Sequence, residues 1–301
     1  MGDLLIRAGC FVAIIILGFV LRKIGFFKDN AFEVLAKVEV KITLPAAIVK
    51  NFATSNIDVS MLSIAALGFG GGMLYVVIAY LTHMKKSKEQ KAFAVLNLPG
   101  YNIGIFALPF VSGFLGPQGV VAACLMDVGN SCVCLGGAYG IASSIKAGAG
   151  FSLKRIGKAL ITSVPFLCYI LMLPVALLKL PVPSPIIQCA EIISNGNAFC
   201  AMLMIGVGFQ LKADKAQIKY VAAMVALRFG VGLLAAAAFY FLLPFSLEVR
   251  QALALLAVSP VSSAVPGFTR DLGEDTGLSS AINSVCIVVS IVLMVTMLSV
   301  I

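Results

Sequence analysis

The 301-residue sequence contains no tryptophan, a single histidine and few charges, with only 12% of residues being Asp, Glu, Lys or Arg. A globular domain surrounded by water carries about a quarter charged residues. The lone histidine, His83, lies at the end of an apolar run, so no metal cluster and no Ser-His-Asp constellation can be built around it. No two cysteines have CxxC spacing, and all eight (Cys10, Cys124, Cys132, Cys134, Cys168, Cys189, Cys200 and Cys286) fall in apolar segments. They read as small buried apolar side chains rather than a disulfide framework.

Apolar length is what the sequence has in excess. Hydrophobic residues make up 60% of the chain, and the mean hydropathy is +1.06. A water-soluble fold of this size could not hide so much apolar surface, which makes the chain a polytopic, all-α membrane protein. A spanning helix needs about 20 mostly apolar residues. Ten segments qualify: 4–22, 33–53, 59–82, 92–114, 118–143, 157–178, 186–210, 217–243, 249–268 and 277–300. The connections are short, and no soluble domain is inserted. The first run, Leu4 to about Val20, is followed by Arg22 and Lys23 rather than a cleavage site, and is read as a first helix.

The formal net charge of +9 does not point to nucleic acid, because the basic residues cluster between the apolar runs. Fifteen fall in the loops after odd-numbered segments: Arg22, Lys23, Lys28, Lys85, Lys86, Lys88, Lys91, Lys146, Lys154, Arg155, Lys158, Lys212, Lys215, Lys219 and Arg270. Four (Arg7, Lys50, Lys179 and Arg250) fall on the other side. Cytoplasmic loops carry the excess of Lys and Arg. The expected setting is a cell membrane, plasma or inner, with both termini outside the cytoplasm and lipid headgroups as the basic residues' partners.

Ten segments divide into two sets of five. Because five is odd, homologous halves would enter the membrane in opposite senses, as inverted repeats. The expected halves are 1–146 and 157–301, joined by a cytoplasmic linker at 147–156. Both carry a broken fourth helix. Segment 4 is interrupted by Pro99, Gly100, Gly104 and Pro109, and segment 9 by Pro260, Pro266 and Gly267.

A proline removes a helix hydrogen bond, and an unmade backbone bond in hydrocarbon costs several kcal/mol. Paired breaks therefore point to an enclosed site near the midplane, where half-helix N-termini favour anions. Asn102 offers two donors and an acceptor there, and Gly104 lets backbones approach. Ser262 and Ser263 lie between the prolines of segment 9, and Asn283 follows in segment 10 with Ser279, Ser280 and Ser284. A kinked helix that binds nothing is the alternative.

Asp127 stands near the middle of segment 5, with Asn130 and Ser131 one turn on. A carboxylate at that depth is expensive and is a functional candidate by default. It either couples a proton or cation, or ties helices together by hydrogen bonds. Arg228, in segment 8, either pairs with Asp127 or receives a substrate carboxylate. Glu33, Lys37 and Lys41 share one face of segment 2, with Glu39 nearly opposite. The two lysines are expected to snorkel to the interface. Glu191, Asn195 and Asn197 polarise segment 7.

The run Asn102-Ile-Gly104-Ile-Phe-Ala-Leu-Pro109-Phe110, followed by Leu115-Gly116-Pro-Gln-Gly119, resembles the fourth-span signature of the auxin efflux carrier family. Leu17-Gly18-Phe-Val-Leu-Arg22-Lys23-Ile-Gly25 resembles its first span, Thr43-Leu44-Pro45-Ala46 its second, and Pro260 through Pro266-Gly267-Phe268 its ninth. The resemblance implies two inverted five-helix repeats of the bile-acid and auxin carrier type. Spans 1, 2, 6 and 7 would form a scaffold, and spans 3–5 and 8–10 a moving unit whose broken spans cross at Pro109 and Pro266. It also implies elevator-like transport of a small organic anion, and it admits a homodimer.

The short linker matches the compact bacterial type rather than the plant exporters. No cofactor or metal is expected, and coupling to H+ or Na+ is left open. A sodium-coupled bile-acid-type carrier and a uniporter are the nearest alternatives. A non-transporting receptor, a membrane enzyme and a channel are the rivals from other classes.

Overall fold

In the computed structural model the described residues are 2–28, 30–55, 57–147, 153–209 and 217–300, and they form helices, turns and loops with no strand among them. Lys212, Lys215 and residues 148–152 of the expected linker lie outside the described residues.

Helix α1 (Gly2–Lys23) runs unbroken. The second apolar segment divides into α2 (Ala31–Val38) and α3 (Leu44–Thr54), joined by a π-helical turn at Glu39–Thr43. Pro45 sits in the first turn of α3 directly after the π turn, in backbone that stays helical through Thr43 and Leu44, so the residue that cannot donate falls where the regular helix pattern is already broken. A 3-10 turn, Val59–Leu62, leads into α4 (Ser63–Thr82).

The fourth segment begins as α5 (Lys88–Asn97), loses helical form at Leu98 to Asn102, and resumes as a π turn (Ile103–Ala107) and α6 (Leu108–Phe114). The fifth is α7 (Pro117–Cys132), a third π turn (Val133–Gly137) and α8 (Ala138–Ala147). Four helices follow: α9 (Leu153–Ile161), α10 (Val164–Leu177), α11 (Ser184–Ser194) and α12 (Asn197–Gly208). Helix α13 (Ile218–Leu242) is unbroken. The ninth segment is α14 (Leu247–Ala257), a break, and α15 (Val265–Asp271). Helix α16 (Thr276–Val300) completes the order. Among the described residues, five stretches are long and apolar enough to cross a membrane: Val59–Thr82, Pro117–Lys146, Ser184–Gly208, Ile218–Leu242 and Thr276–Val300.

The helices pack in two groups. In one, α1 lies on α12, and α3 on α10 and α11. In the other, α4 packs on α7, α5 on α8, α13 on α14 and α16, and α14 on α7. Each group holds a reciprocal glycine seam. A Cβ on Gly18 would strike the Leu203 carbonyl, and one on Gly206 the Ile15 carbonyl. Likewise a Cβ on Gly68 would strike the Met126 carbonyl, and one on Gly129 the Ala65 carbonyl. Small residues that bring backbones together are how helices associate where lipid removes the hydrophobic drive.

The outer surface bears large apolar side chains, Ile16, Leu74, Leu171, Leu234 and Val292 among them, as a lipid-facing surface does. This corrects one expectation about the cysteines. Cys124 and Cys286 are buried, but Cys10 and Cys189 are exposed. An apolar thiol on a lipid-facing surface has no need of a protein core.

Candidate functional site

The two chain breaks meet. Leu98 to Asn102 is freed from helical form at Pro99, and Gly100 takes a left-handed φ of +80° that glycine adopts without steric cost. A Cβ at Gly100 would also run into the Cys134 thiol. The Asn102 backbone N–H donates to the Pro260 carbonyl at 2.9 Å. Its side-chain amide donates to Ser263 Oγ at 2.7 Å. Asn102 is buried, so the pairing replaces helix bonds where water is scarce.

Arg228 reaches the same point from α13 and is 1% exposed. Its guanidinium donates to the carbonyls of Leu98 at 2.5 Å, Gly100 at 2.7 Å and Ser259 at 2.9 Å. These are the C-terminal ends of α5 and α14, where the helix dipole concentrates negative charge. The guanidinium lies 5.1 Å from the Tyr75 ring centroid and 5.8 Å from that of Tyr101, within cation–π range. Tyr75 also donates its hydroxyl to the Arg228 carbonyl at 2.8 Å. In this structure, then, Arg228 bonds to the ends of the broken helices and not to Asp127.

Asn130 supports the break from α7. The Tyr101 N–H donates to its Oδ1 at 2.9 Å, and its amide donates to the Tyr101 carbonyl at 2.8 Å and to Asp127 Oδ1 at 2.9 Å. The side chain thus pairs with backbone much as a neighbouring strand would. Asp127, also buried, accepts a second bond at 3.0 Å from Tyr169 of α10, which belongs to the other packed group. A Cβ on Gly104 would lie 2.7 Å from Leu44 Cδ2 and 3.4 Å from Asp127 Oδ2, so the groups converge at Gly104.

Cavities approach the crossing from two directions. One of about 420 Å³ is lined by Ser263, Pro266, Ser280 and Asn283, with Arg22 and Arg270 at the end where basic residues cluster. The Asn283 side-chain oxygen is buried without a hydrogen-bond partner. The other cavity, about 530 Å³, is lined by Pro109, Ser112, Lys50, Asn51, Asn195 and Asn197. Neither is lined by Asn102, Gly104, Ser262, Asp127, Asn130 or Arg228. Those six lie between or behind the cavities, and Ser262 Oγ accepts from the Ala264 N–H at 3.4 Å within its own loop.

The structure adds three features to the sequence reading. Tyr169 sits in an apolar run, where nothing in the sequence sets it apart. Asn97, Thr269 and Ser279 form a buried polar cluster tying α5 to α15 and α16. Glu39 is fully buried, and neither carboxylate oxygen has a hydrogen-bond partner. Its place opposite the exposed Lys37 and Lys41 was the available signal.

Residues 10–146 match the family described as membrane transport protein, which bears out the resemblance to the auxin efflux carriers. No curated protein matches the chain.

Proposed function

We propose that the chain, whose residues 10–146 match the membrane transport proteins and support the auxin efflux carrier resemblance, is a secondary carrier for a small organic anion, a mono- or dicarboxylate, working by alternating access. The observation that carries this reading is the meeting of two broken helices at Asn102 and Ser263, with cavities reaching Pro266 from one side and Pro109 from the other. Irregular backbone at membrane depth is tolerated where it is enclosed by protein or lines a wet cavity.

The charge balance supports an anion. Arg228 occupies the negative ends of α5 and α14. The N-terminal end of the Ile103–Phe114 helix is left as a positive end at the crossing. Arg22 and Arg270 line the approach, against the single carboxylate of Glu33. Asn102, Gly104, Ser262, Ser263 and Asn283 are the substrate-binding candidates, and Pro109 and Pro266 the crossover points.

The two packed groups support a scaffold built from segments 1, 2, 6 and 7, with segments 3–5 and 8–10 moving as a unit in two inverted repeats. Asp127 and Asn130 sit at the boundary between them and are the candidates for ion coupling. The basic loops orient both termini away from the cytoplasm.

The test is a panel of carboxylates applied to the protein reconstituted on an electrode-supported membrane, each at two pH values and with or without sodium. Exchange of labelled solute is measured in parallel. A saturable current or exchange with one carboxylate, lost in Asn102→Ala, is the expected result. Sodium-dependent uptake confined to a bile acid would transfer the protein to the alternative carrier class. Neither current nor exchange across the panel would overturn the organic-anion reading.

A further inference from the structure

The crossing leaves one buried ionisable group unused. Glu39 lies in the π turn between α2 and α3, is 0% exposed, and has no hydrogen-bond partner among the described residues on either carboxylate oxygen. Its turn packs against the Ile103–Ala107 turn of the broken fourth segment, and against α10, α11 and α12. An ionised carboxylate enclosed in this way, without a counter-charge or donor, is among the costliest arrangements a protein can hold.

Among the described residues the surroundings supply no cation. The titratable side chains near Glu39 are Asp127 on α7, Tyr169 on α10 and Cys200 on α12, none of which can carry a positive charge. The Ile103–Ala107 turn contributes no ionisable side chain. On Glu39's own segment Lys37 and Lys41 are exposed. On α11, Glu191 is engaged at the surface by Lys50 at 3.4 Å. The neighbouring hydroxyl of Thr43 is committed to Asn197 Oδ1 at 2.9 Å, and both Asp127 oxygens already accept bonds. Oxygen ligands for a metal ion are therefore scarce, whereas a proton needs only one.

We propose that Glu39 is a proton-binding site of this protein, and that Glu39 and Asp127 together form a proton-controlled contact between the two packed helix groups. The step is a simple protonation: a proton from water adds to one Glu39 carboxylate oxygen, and no other bond changes. With the proton on, the carboxyl group is neutral and the groups rest together as observed. With it off, two negative charges face each other across the boundary and push it open. The inference rests on the transport reading only in giving this contact a task, namely tying proton uptake to movement at the crossing.

The experiment reads the carboxyl group directly. Infrared difference spectra of the protein in vesicles are recorded as the pH is stepped from acid to alkaline, in potassium buffer and then in sodium buffer, with no transported solute present. A carboxylic-acid band that titrates, shifts when the glutamates are carbon-13 labelled, and is lost in Glu39→Gln is the expected result. Asp127→Asn should keep the band and displace its midpoint. Labelling the wild-type protein serves as a second readout should Glu39→Gln fold poorly, because Glu39 is the only glutamate buried among the described residues.

A spectrum without a titrating band that follows the glutamate label overturns the proposal. So does a band abolished by sodium at constant pH, since the carboxylates would then be holding a cation. The result is separable from the carboxylate panel: a Glu39 band with no organic-anion flux removes the substrate and keeps the proton site, and the converse pattern does the reverse.

Discussion

The guanidinium of Arg228 donates to the carbonyl of Gly100 at 2.7 Å, joining positions 128 residues apart in the chain. With the bonds to Leu98 and Ser259 it holds both helix breaks by one side chain. Arg228→Met leaves those carbonyls without a donor, at about 1–3 kcal/mol for each buried unsatisfied group. The expected outcome is a fall of several degrees in the thermal midpoint. It is read in detergent with a thiol-reactive dye, as the rise that exposure of the buried Cys124 and Cys286 adds to the signal of the exposed Cys10 and Cys189. Arg228→Lys should recover only part, since an ammonium lacks the planar fork. An unchanged midpoint in Arg228→Met would show that the breaks are held by other contacts.

The glycine seams give a contrast between neighbours in sequence type. A Cβ at Gly129 meets the Ala65 carbonyl, whereas one at Gly70 meets nothing within 4 Å. Gly129→Val should therefore abolish or greatly reduce the yield of monodisperse protein, as overpacking costs about 1–3 kcal/mol or more. Gly70→Ala should keep the yield and leave the midpoint unchanged or slightly raised, since alanine favours a helix interior over glycine. Equal behaviour of the two variants would contradict the close approach of α4 and α7.

The two cavities should open to opposite sides. Ser112→Cys lines one and Ser280→Cys the other. In sealed vesicles of known orientation, an impermeant maleimide should label Ser112→Cys from the extracytoplasmic side above the wild-type background. It should label Ser280→Cys only after permeabilisation. The reverse pattern would invert the orientation read from the basic loops.

His83 offers a pH dependence outside the spans. Burial chiefly holds its imidazole below the ordinary histidine value, and the Lys86 charge acts in the same direction against the opposing bond to the Ala79 carbonyl. Its ring nitrogens lie 3.1 Å from the Ala79 carbonyl and 3.2 Å from the Tyr220 hydroxyl, which suits the neutral ring. A group whose value is depressed on folding stabilises the fold above its unfolded value and loses that contribution as pH falls. The thermal midpoint of the wild type should therefore drop below about pH 6.5, the ordinary histidine value. His83→Gln should show a shallower drop. Parallel curves would sink this assignment.

Much of the helical architecture was legible because it is written in apolar length and in proline. Pro99 and Pro260 lie in the two non-helical breaks and Pro266 in the first turn of the helix that follows the second, whereas Pro109, expected to break its segment, lies inside the Ile103–Phe114 helix that has already resumed. The division of other segments was less visible, because a π turn such as Glu39–Thr43 adds a residue without any characteristic sequence. Arg228 stood out as a charge in an apolar run, but its partners are backbone carbonyls, which every residue possesses and no sequence distinguishes. Asp127 was found for the same reason as Arg228. Its partner Tyr169 was not, since a tyrosine in an apolar helix looks like core until its hydroxyl is placed. Glu39 was seen to face away from Lys37 and Lys41, but what it faces depends on segments distant in the chain.

The two seams also set the mechanics of the molecule. Where Gly18 meets Gly206, and Gly68 meets Gly129, main chain rests on main chain, and such a contact has no rotamers through which to yield. Between the groups, Gly104 faces the Leu44 side chain and Gly113 the ring of Phe11, and side chains can change rotamer and pass one another. Stiffness is thus concentrated inside each group and compliance at their boundary. The alternating access proposed above would accordingly draw on that boundary, the surface on which Asp127 and Tyr169 meet.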